Sequence, residues 1–593
     1  MSDSGSLRGA YTPGRTATAY RKPKRQHFGR AGSAIKMAAC SISRVMNHLL
    51  IQLVAFAWLP ESPAWALSNA FDVREASIDS VHNALFTQIT TCREIVSAFI
   101  ARVEEFNPTV NAIISLNPEA LSIANKLDER IAAGNVTGSL FCIPVVLKDN
   151  YDAVETNTTG ACLDLANSKP LEDAPTVTAL RNAGAVILGK ANLHEMALEG
   201  LTVSSLGGQT VNPYDKTRTP GGSSGGAGAA VASNFAIFGT GTDTVNSLRS
   251  PANAGSLFSF RPTRGLISRV GVIPVSFTQD TVGAIARNPK DLAVALTVMA
   301  SVGFDPNDNV TALVPPEVRG RDYSASLYGG SLTGRRFGFL DGFLNHTASA
   351  ETTPVNDVMA DMVEKLKGAG ATVVNITESI YNTVTLAALD VQIYEFREVL
   401  DAYLARPRLG GSPRPDSFAE LYNSGRFLVI PGQSGMIRSS LVSSTANTAY
   451  LDSLRKIQDL TQALDATFVR NNLDALIYPQ QKNLVVKIGS PSQSGRNGIL
   501  AALTGRPVIH VPAGFSPPSE DAPIGVPIGM EILGRPFAEG LLLNIANHIA
   551  EKFPVRRMPP FANGTVEARA YESVPVIRPD TGNIPGVYPI GVF

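Results

Sequence analysis

The length, composition and charge of the chain exclude several classes of protein. It has 593 residues, of which 44% are hydrophobic and 17% charged, as in ordinary globular proteins. Its 51 basic residues equal its 51 acidic ones, so the charge gives no indication of a nucleic-acid-binding surface. Four cysteines are too few and too scattered for a disulfide scaffold or a zinc cluster. They leave open either a single Cys142–Cys162 bridge or three reduced, buried thiols.

The N-terminal region differs from the rest of the chain. Residues 1–36 are rich in arginine and lysine and contain one acidic residue, Asp3; an apolar stretch follows at 46–60, and then Ala64-Trp-Ala66. A basic region, a short apolar core and an A-x-A site indicate a secretory signal in residues 1–66, cleaved after Ala66. A basic mitochondrial presequence is the alternative. The apolar core is shorter than the roughly 20 residues of a spanning helix, so no stable membrane anchor is expected.

Residues 67–593 are expected to form a single domain. Six N-x-S/T sequons agree with a secreted glycoprotein, at Asn135, Asn157, Asn309, Asn345, Asn375 and Asn563. The oligomeric state stays open, with a homodimer as one option.

In chain order, the predicted elements alternate between helices and buried strands. Apolar spacing predicts helices from Thr91 to Asn107-Pro108, from Glu119 to Ala133 and from Thr176 to Asn182. Continuous apolar runs predict strands at 140–147, 185–189, 235–241, 337–340, 372–375, 476–479 and 508–511. Residues 405–417 are predicted to form a Pro/Gly/Arg-rich surface loop. This alternation predicts an α/β fold with helices on a mostly parallel or mixed sheet.

The first candidate functional residue is Lys148, which closes the apolar run 140–147. The simple interpretation is a lysine whose stem extends to solvent at the sheet edge. If the amine is buried instead, loss of hydration favours its neutral form and lowers its pKa. A pKa near 7 instead of about 10.4 corresponds to roughly 4–5 kcal/mol, and the amine could then accept a proton at neutral pH.

The second candidate is the glycine-rich segment 221–228 (GGSSGGAG), which contains Ser223 and Ser224. It lacks the Lys-Ser/Thr ending of a phosphate-binding loop. Its Gly-x-Ser-x-Gly pattern also occurs at the nucleophile of α/β-hydrolases, which would make Ser223 an esterase nucleophile partnered by a histidine. His346, His510 and His548 follow in the chain, but none lies in a segment typical of a catalytic loop. Alone, the segment is most simply a tight turn.

The third candidate is the polar end of the strand predicted at 235–241, where Ser247 lies. Strand ends in α/β sheets are the usual place for ligands. Upstream, His194-Glu195 begins like a zinc-protease motif, but position 198 is leucine where a second histidine is required. We therefore infer no metal and no other cofactor.

Together these segments resemble the amidase signature family. The stretch 221–252 (GGSSGGAGAAVASNFAIFGTGTDTVNSLRSPA) resembles the signature block over its full length. Further matches in the family's order are IPVVLKDN at 143–150, FRPTRGLISRVGVIPVSFTQDTVG at 260–283 and LTGRPVIHVPAGF at 503–515. The similarity covers about residues 75–555.

The resemblance implies an α/β/α sandwich with a mixed central sheet and a Ser–cis-Ser–Lys triad. By position, Ser247 would be the acylated nucleophile, Ser223 the bridging serine and Lys148 the base. Backbone N–H groups of Thr244, Val245, Asn246 and Ser247 would hold the oxyanion. Three further residues, Ser224, Asp243 and Arg249, would brace the loop without a catalytic step. The implied substrate is a small-molecule amide or ester, and a tRNA-dependent amidotransferase is disfavoured unless the protein is mitochondrial.

The sequence departs from the family directly before Ser247. The family pattern has Gly-Gly there, and this chain has Val245-Asn246. Valine is a poor occupant of positive φ, so Val245 is expected to keep an ordinary backbone conformation. Backbone donors survive such a change, while the added side chains narrow the substrate space. The expectation is retained catalysis with altered substrate choice, and a catalytically degenerate binding protein is the alternative.

Overall fold

The apolar runs of the sequence form the strands of one large mixed sheet. The computed structural model describes residues 71–589, which belong to one compact unit. The expected basic segment, apolar signal and cleavage site of residues 1–66, together with Cys40, lie outside the described residues. The strands are β1 Ile113–Leu116, β2 Pro144–Lys148, β3 Lys169–Pro170, β4 Val186–Ala191, β5 Val203–Ser204, β6 Gly208–Gln209, β7 Phe238–Asp243, β8 Phe258–Arg261, β9 Thr281–Ala286, β10 Arg336–Leu340, β11 Thr372–Ile376, β12 Leu409–Gly410, β13 Ala475–Pro479, β14 Val508–Phe515 and β15 Pro527–Leu533.

Helices alternate with these strands along the chain. They are α1 Ile78–Phe86, α2 Cys92–Val110, α3 Ala120–Ala132, α4 Pro175–Asn182, α5 Gly225–Ala232, α6 Arg249–Ala254, α7 Pro289–Ala300, α8 Thr353–Gly368, α9 Thr383–Ala387, α10 Gln392–Leu404, α11 Phe418–Asn423, α12 Ser434–Val442, α13 Thr448–Arg470, α14 Ile499–Thr504 and α15 Glu539–Lys552. Within residues 71–589 no helix is both long and apolar enough to cross a membrane.

The main sheet has 11 strands in the order β1-β4-β2-β7-β9-β8-β14-β15-β13-β10-β11. β2 runs parallel to both β4 and β7, whereas β9 runs antiparallel to β7 and β8. The mixed sheet flanked by helices confirms the predicted α/β sandwich. Because β2 and β7 are parallel neighbours, their carboxyl ends, Lys148 and Asp243, lie at the same edge of the sheet.

Several element boundaries differ from the prediction, and the differences have local causes. α2 continues past Asn107-Pro108 to Val110, because the proline lies in the last turn and the helix ends at Asn111 in the left-handed conformation. β7 begins at Phe238 and not at Phe235, because the N–H of Phe235 donates to Ala230 O and closes the end of α5. The loop at 405–417 contains β12, which pairs with β3.

The disulfide pairing differs from the bridge considered from sequence. Cys142 pairs with Cys92, with 5.7 Å between their Cα atoms, and Cys162 is a buried free thiol. Both alternatives that the sequence left open, a Cys142–Cys162 bridge and three reduced thiols, are therefore wrong. The first residue of α2 packs beside the turn before β2, and the two cysteines are 50 residues apart in sequence.

The C-terminal segment after α15 packs back onto the domain as an extended chain. Tyr588 is 2% exposed and packs in an apolar cluster with Leu201, Ile430 and Val486. Its hydroxyl donates to Ser490 O at 2.6 Å. The segment thereby supports the loop that begins at Val486.

We predict that the Cys92–Cys142 bridge stabilises the fold. Closing a loop of 50 residues removes entropy from the unfolded chain, and loss of such a bridge costs about 2–4 kcal/mol. The double variant Cys92→Ser/Cys142→Ser should therefore unfold at a lower urea concentration than the unsubstituted protein. Dithiothreitol should lower the midpoint of the unsubstituted protein and leave that of the double variant unchanged. A midpoint of the unsubstituted protein that does not respond to reductant would contradict the prediction.

Candidate active site

Lys148 is completely buried at the sheet edge where β2 and β7 end. Its side chain is 0% exposed, so the interpretation of Lys148 as a lysine that extends to solvent at the sheet edge is wrong. Nζ lies 2.7 Å from Ser223 Oγ and 2.7 Å from Thr242 Oγ1. Burial lowers the pKa of Lys148 to about 7, although the carboxylates of Asp243 and Asp280 act in the opposite direction. A substantial fraction of the amine is therefore neutral at neutral pH.

Thr242 determines how the neutral amine can use its lone pair. Its Oγ1 accepts a hydrogen bond from Asn150 Nδ2 at 3.2 Å and a second one from Lys148 Nζ. A neutral amine that donates to Thr242 can direct its lone pair at the hydroxyl of Ser223. Thr242 received no role from sequence, although its position at the end of an apolar strand next to Asp243 is a usable signal.

Ser223 is held in the glycine-rich turn that precedes α5. The Gly222–Ser223 peptide bond is cis, as the resemblance implies. A Cβ at Gly222 would lie 2.6 Å from Thr202 Oγ1, so this position has no room for a side chain. The carbonyl of Ser223 accepts from the His194 backbone N–H at 3.0 Å. These contacts fix Ser223 Oγ in front of Lys148.

The turn between β7 and α6 contains Thr244, Val245, Asn246 and Ser247. In the described part of the chain, the backbone N–H groups of these four residues donate to no other group. All four residues line a cavity of about 510 Å³. Four free donors at a cavity wall are the arrangement that an oxyanion requires.

Neither residue of the Val245-Asn246 pair adopts positive φ, as expected for valine. Val245 is half-buried and packs against an apolar cluster, while Asn246 is 1% exposed. A Cβ at Gly498 would lie 2.6 Å from Asn246 Cβ, so the turn packs tightly against the start of α14. The side chains therefore occupy space beside Ser247 without disturbing the backbone donors.

The hydrogen-bond network does not yet join all three predicted catalytic residues. Within residues 71–589 it connects Lys148 to Ser223 but does not continue to Ser247 Oγ. Ser247 is 7% exposed at the cavity, and its carbonyl accepts from the Ser224 backbone N–H at 3.4 Å. Ser224 Oγ also donates to Thr242 O at 3.3 Å, so Ser224 connects the turn of Ser223 both to β7 and to the turn of Ser247.

A buried charge cluster holds the turn. Asp243 accepts from Arg249 Nη2 at 3.0 Å, from Arg261 Nη1 at 2.7 Å and from the Leu248 N–H at 3.0 Å. Arg249 also binds Glu531 at 2.6 Å and donates to Val245 O. Burial alone would raise the pKa of Asp243, but the two guanidinium groups lower it to about 2.

Two members of this charge cluster were missed from sequence. Arg261 ends β8 and Glu531 lies within β15, each a charged residue in an otherwise apolar strand. Such a charge inside a buried strand needs a partner, which is the signal that could have found them.

The histidines give no support to the esterase or metal interpretations. His510 Nδ1 contacts Leu257 O at 2.9 Å, His346 contacts Asp341 and His548 contacts Gly329 O. His194 Nε2 lies 3.2 Å from Gln433 Oε1, and burial lowers its pKa to about 4. No imidazole of the described chain hydrogen-bonds to Ser223 or Ser247, and residues 71–589 contain no cluster of three potential metal ligands.

Comparison with known proteins gives the family of this fold and site. The family described as Amidase matches residues 94–543. A glutamyl-tRNA(Gln) amidotransferase subunit of Staphylococcus saprophyticus is 31% identical over 498 residues, covering 81% of this chain and 98% of the relative. A probable amidase of Arabidopsis thaliana is 30% identical over 522 residues, covering 84% of this chain and 93% of the relative.

Among solved structures, the peptide amidase of Stenotrophomonas maltophilia has a TM-score of 0.72 and 31% identity, covering 83% of this chain and 99% of that one. The family match spans both serine-bearing turns and the strand that ends at Lys148. This chain therefore belongs to the amidase signature family.

Proposed function

We propose that the protein hydrolyses a carboxylic amide C–N bond through an acyl-enzyme at Ser247, with Ser223 as proton relay and Lys148 as base. The observation that carries this proposal is the buried Lys148 amine, 2.7 Å from Ser223 Oγ and with a pKa lowered by burial to about 7. A base must be unprotonated at the working pH and within hydrogen-bond reach of its proton donor, and Lys148 meets both conditions.

In the first half-reaction, Ser247 Oγ attacks the substrate carbonyl. Its proton passes to Ser223 Oγ as the Ser223 proton passes to Lys148 Nζ. The free N–H groups of residues 244–247 hold the oxyanion of the tetrahedral intermediate. The C–N bond then breaks, and the proton returns from Lys148 through Ser223 to the leaving amine.

In the second half-reaction, a water molecule attacks the Ser247 ester and loses its proton along the same relay. The proton returns to Ser247 Oγ as the acid leaves, so one amide and one water give one acid and one amine. A hydroxyl suits the bridging position because it donates and accepts at once. Relay to Ser247 requires a hydrogen bond from Ser247 Oγ to Ser223 Oγ, which we propose forms when substrate is bound.

We also propose that the protein follows the secretory pathway. The Cys92–Cys142 disulfide supports this, because disulfides persist in oxidising compartments. Five of the six sequon asparagines are exposed, and Asn345 is half-buried. Secretion separates the protein from tRNA, so we propose hydrolysis and not a part in tRNA-dependent amidation. N-terminal sequencing of protein recovered from the culture medium tests the cleavage after Ala66.

A fluorophosphonate probe tests the nucleophile. We expect peptide mapping to find the label on Ser247, and Ser247→Ala and Lys148→Ala to lower kcat for amide hydrolysis at least about a thousandfold. Ser439→Ala, at an exposed serine of α12, is the matched control and should keep full activity. Label on Ser223 would favour the esterase instead. Absence of label on folded protein would favour a binding protein.

The pH dependence of amide hydrolysis tests the state of Lys148. A lysine accepts a proton only above its pKa, and burial brings that pKa from 10.5 down to about 7. We therefore expect kcat/KM to rise with pH through about 7 and to level off above it. A lysine in water would place the same rise more than three units higher. A profile that is flat from about pH 6 to 9 would contradict Lys148 as the base.

Glycine substitutions test the role of the pair before the nucleophile. Val245→Gly and Asn246→Gly remove side chains beside Ser247 and leave the backbone donors in place. We expect kcat/KM to rise about fivefold or more for bulky acyl amides and to change less than twofold for acetamide, at a stability cost of about 1 kcal/mol per glycine. Equal changes for both substrates would show that the pair does not set substrate size.

A further inference from the structure

The cavity beside Ser247 contains several charged side chains, and almost all of them have partners. Glu199 forms an ion pair with Arg496 at 3.0 Å. Asp390 accepts hydrogen bonds from the backbone N–H of Gln392 at 3.0 Å and from its side-chain amide at 2.6 Å. The charge of Glu199 is therefore balanced by Arg496, whereas Asp390 is held by neutral amide donors and burial raises its pKa.

Lys482 is the exception among the charged residues of this cavity wall. It is half-buried and lines the cavity, and its ammonium group has no hydrogen bond or ion pair within residues 71–589. Burial lowers the pKa of Lys482, and no neighbouring carboxylate counteracts that effect. Because Lys482 lines the cavity and its ammonium group has no partner in the described chain, a bound anion can pair with it without displacing another residue.

The backbone on both sides of Lys482 is fixed. Its N–H donates to Gly495 O at 2.8 Å, and the neighbouring Gln481 side chain donates to Ser494 O at 2.8 Å. Gly495 has φ of +79°, and a Cβ there would lie 1.8 Å from Asn483 Oδ1. Position 495 therefore has no room for a side chain, and these contacts hold Lys482 against the segment 494–495 of the same cavity wall.

We propose that the substrate of this site carries a carboxylate and that Lys482 binds it. This inference rests on the proposed function, because attack by Ser247 requires the scissile carbonyl in the same cavity. One ammonium presents a single positive charge, which matches a carboxylate better than a phosphate group of higher charge. The volume of about 510 Å³ holds a small dicarboxylic monoamide or an N-acyl amino acid.

Lys482 would act as a residue of specificity and not of catalysis. It touches the remote end of the substrate, so its binding energy selects acids over neutral amides of equal size. The carboxylate would lie on the acyl part in a monoamide and on the amine part in an N-acyl amino acid. In both classes of substrate, the group that Lys482 binds is the carboxylate.

Binding to the Ser247→Ala variant, which cannot turn over its ligand, tests the inference by calorimetry. The probes are two matched pairs: glutaramate against valeramide for the acyl side, and N-butyrylglycine against N-butyrylpropylamine for the amine side. We expect one of the two acids, glutaramate or N-butyrylglycine, to bind at least tenfold more tightly than the neutral amide with which it is paired. Adding Lys482→Met should abolish that difference, while Lys482→Arg should keep most of it. Lys456→Met, at an exposed lysine of α13, is the control and should change nothing.

Equal affinities within both pairs, a preference for the acid that persists in Lys482→Met, or no binding of any probe would overturn the inference. Failure of the proposed function has a different signature. If Ser247→Ala keeps its amide hydrolysis, Ser247 is not the nucleophile, whereas a Lys482-dependent preference for the acid would still stand.

Discussion

Exclusion of water from the Lys148 amine is the constraint on which the site depends, because a hydrated lysine would keep its proton at neutral pH. Lowering its pKa to about 7 requires an environment that disfavours the charged form by about 5 kcal/mol. The fold provides this by ending a fully buried strand at the lysine and by covering the amine with the turn of Ser223 and with Thr242 near the end of β7. The same packing places the polar partners of the amine where the proposed proton relay needs them.

The turn that carries Ser247 faces an opposite requirement. In the proposed mechanism its four backbone N–H groups must stay free, so only its carbonyl groups can take part in backbone hydrogen bonds, as those of Asn246 and Ser247 do. Side chains add further contacts: Asp243 accepts from the N–H of Leu248, and Arg249 donates to the carbonyl of Val245. The charges of Asp243 and Glu531 are balanced by Arg249 and Arg261, since a single unpaired charge at this depth would be strongly destabilising.

The sequence predicts the parts of this arrangement that are local or that form a recognisable pattern. Apolar runs located seven of the eleven strands of the main sheet to within a few residues and missed β1, β8, β9 and β15. The resemblance selected Lys148, Ser223 and Ser247 from many lysines and serines. Contacts between segments that are far apart in the chain could not be predicted from the sequence. Cys92 meets Cys142 only after α2 packs beside β2, and Glu531 approaches Arg249 only when β15 joins the sheet. The role proposed for Lys482 could not be predicted either, because its sequence context is that of a common loop lysine. What distinguishes it is the absence of a partner for its ammonium group in the described chain, which becomes apparent only when the surrounding residues have been located in space.

The C-terminal segment gives the family fold a way to diversify. The family match ends at residue 543, while Tyr588 lies on the loop from Val486 onward, whose later residues 492–496 form one wall of the cavity. Substitutions in the C-terminal segment, which lies outside the family match, can therefore change the shape of this cavity wall without altering Lys148, Ser223 or Ser247. Substitutions near the end of the chain are thus one route by which the cavity could change shape while the proposed catalytic residues stay the same.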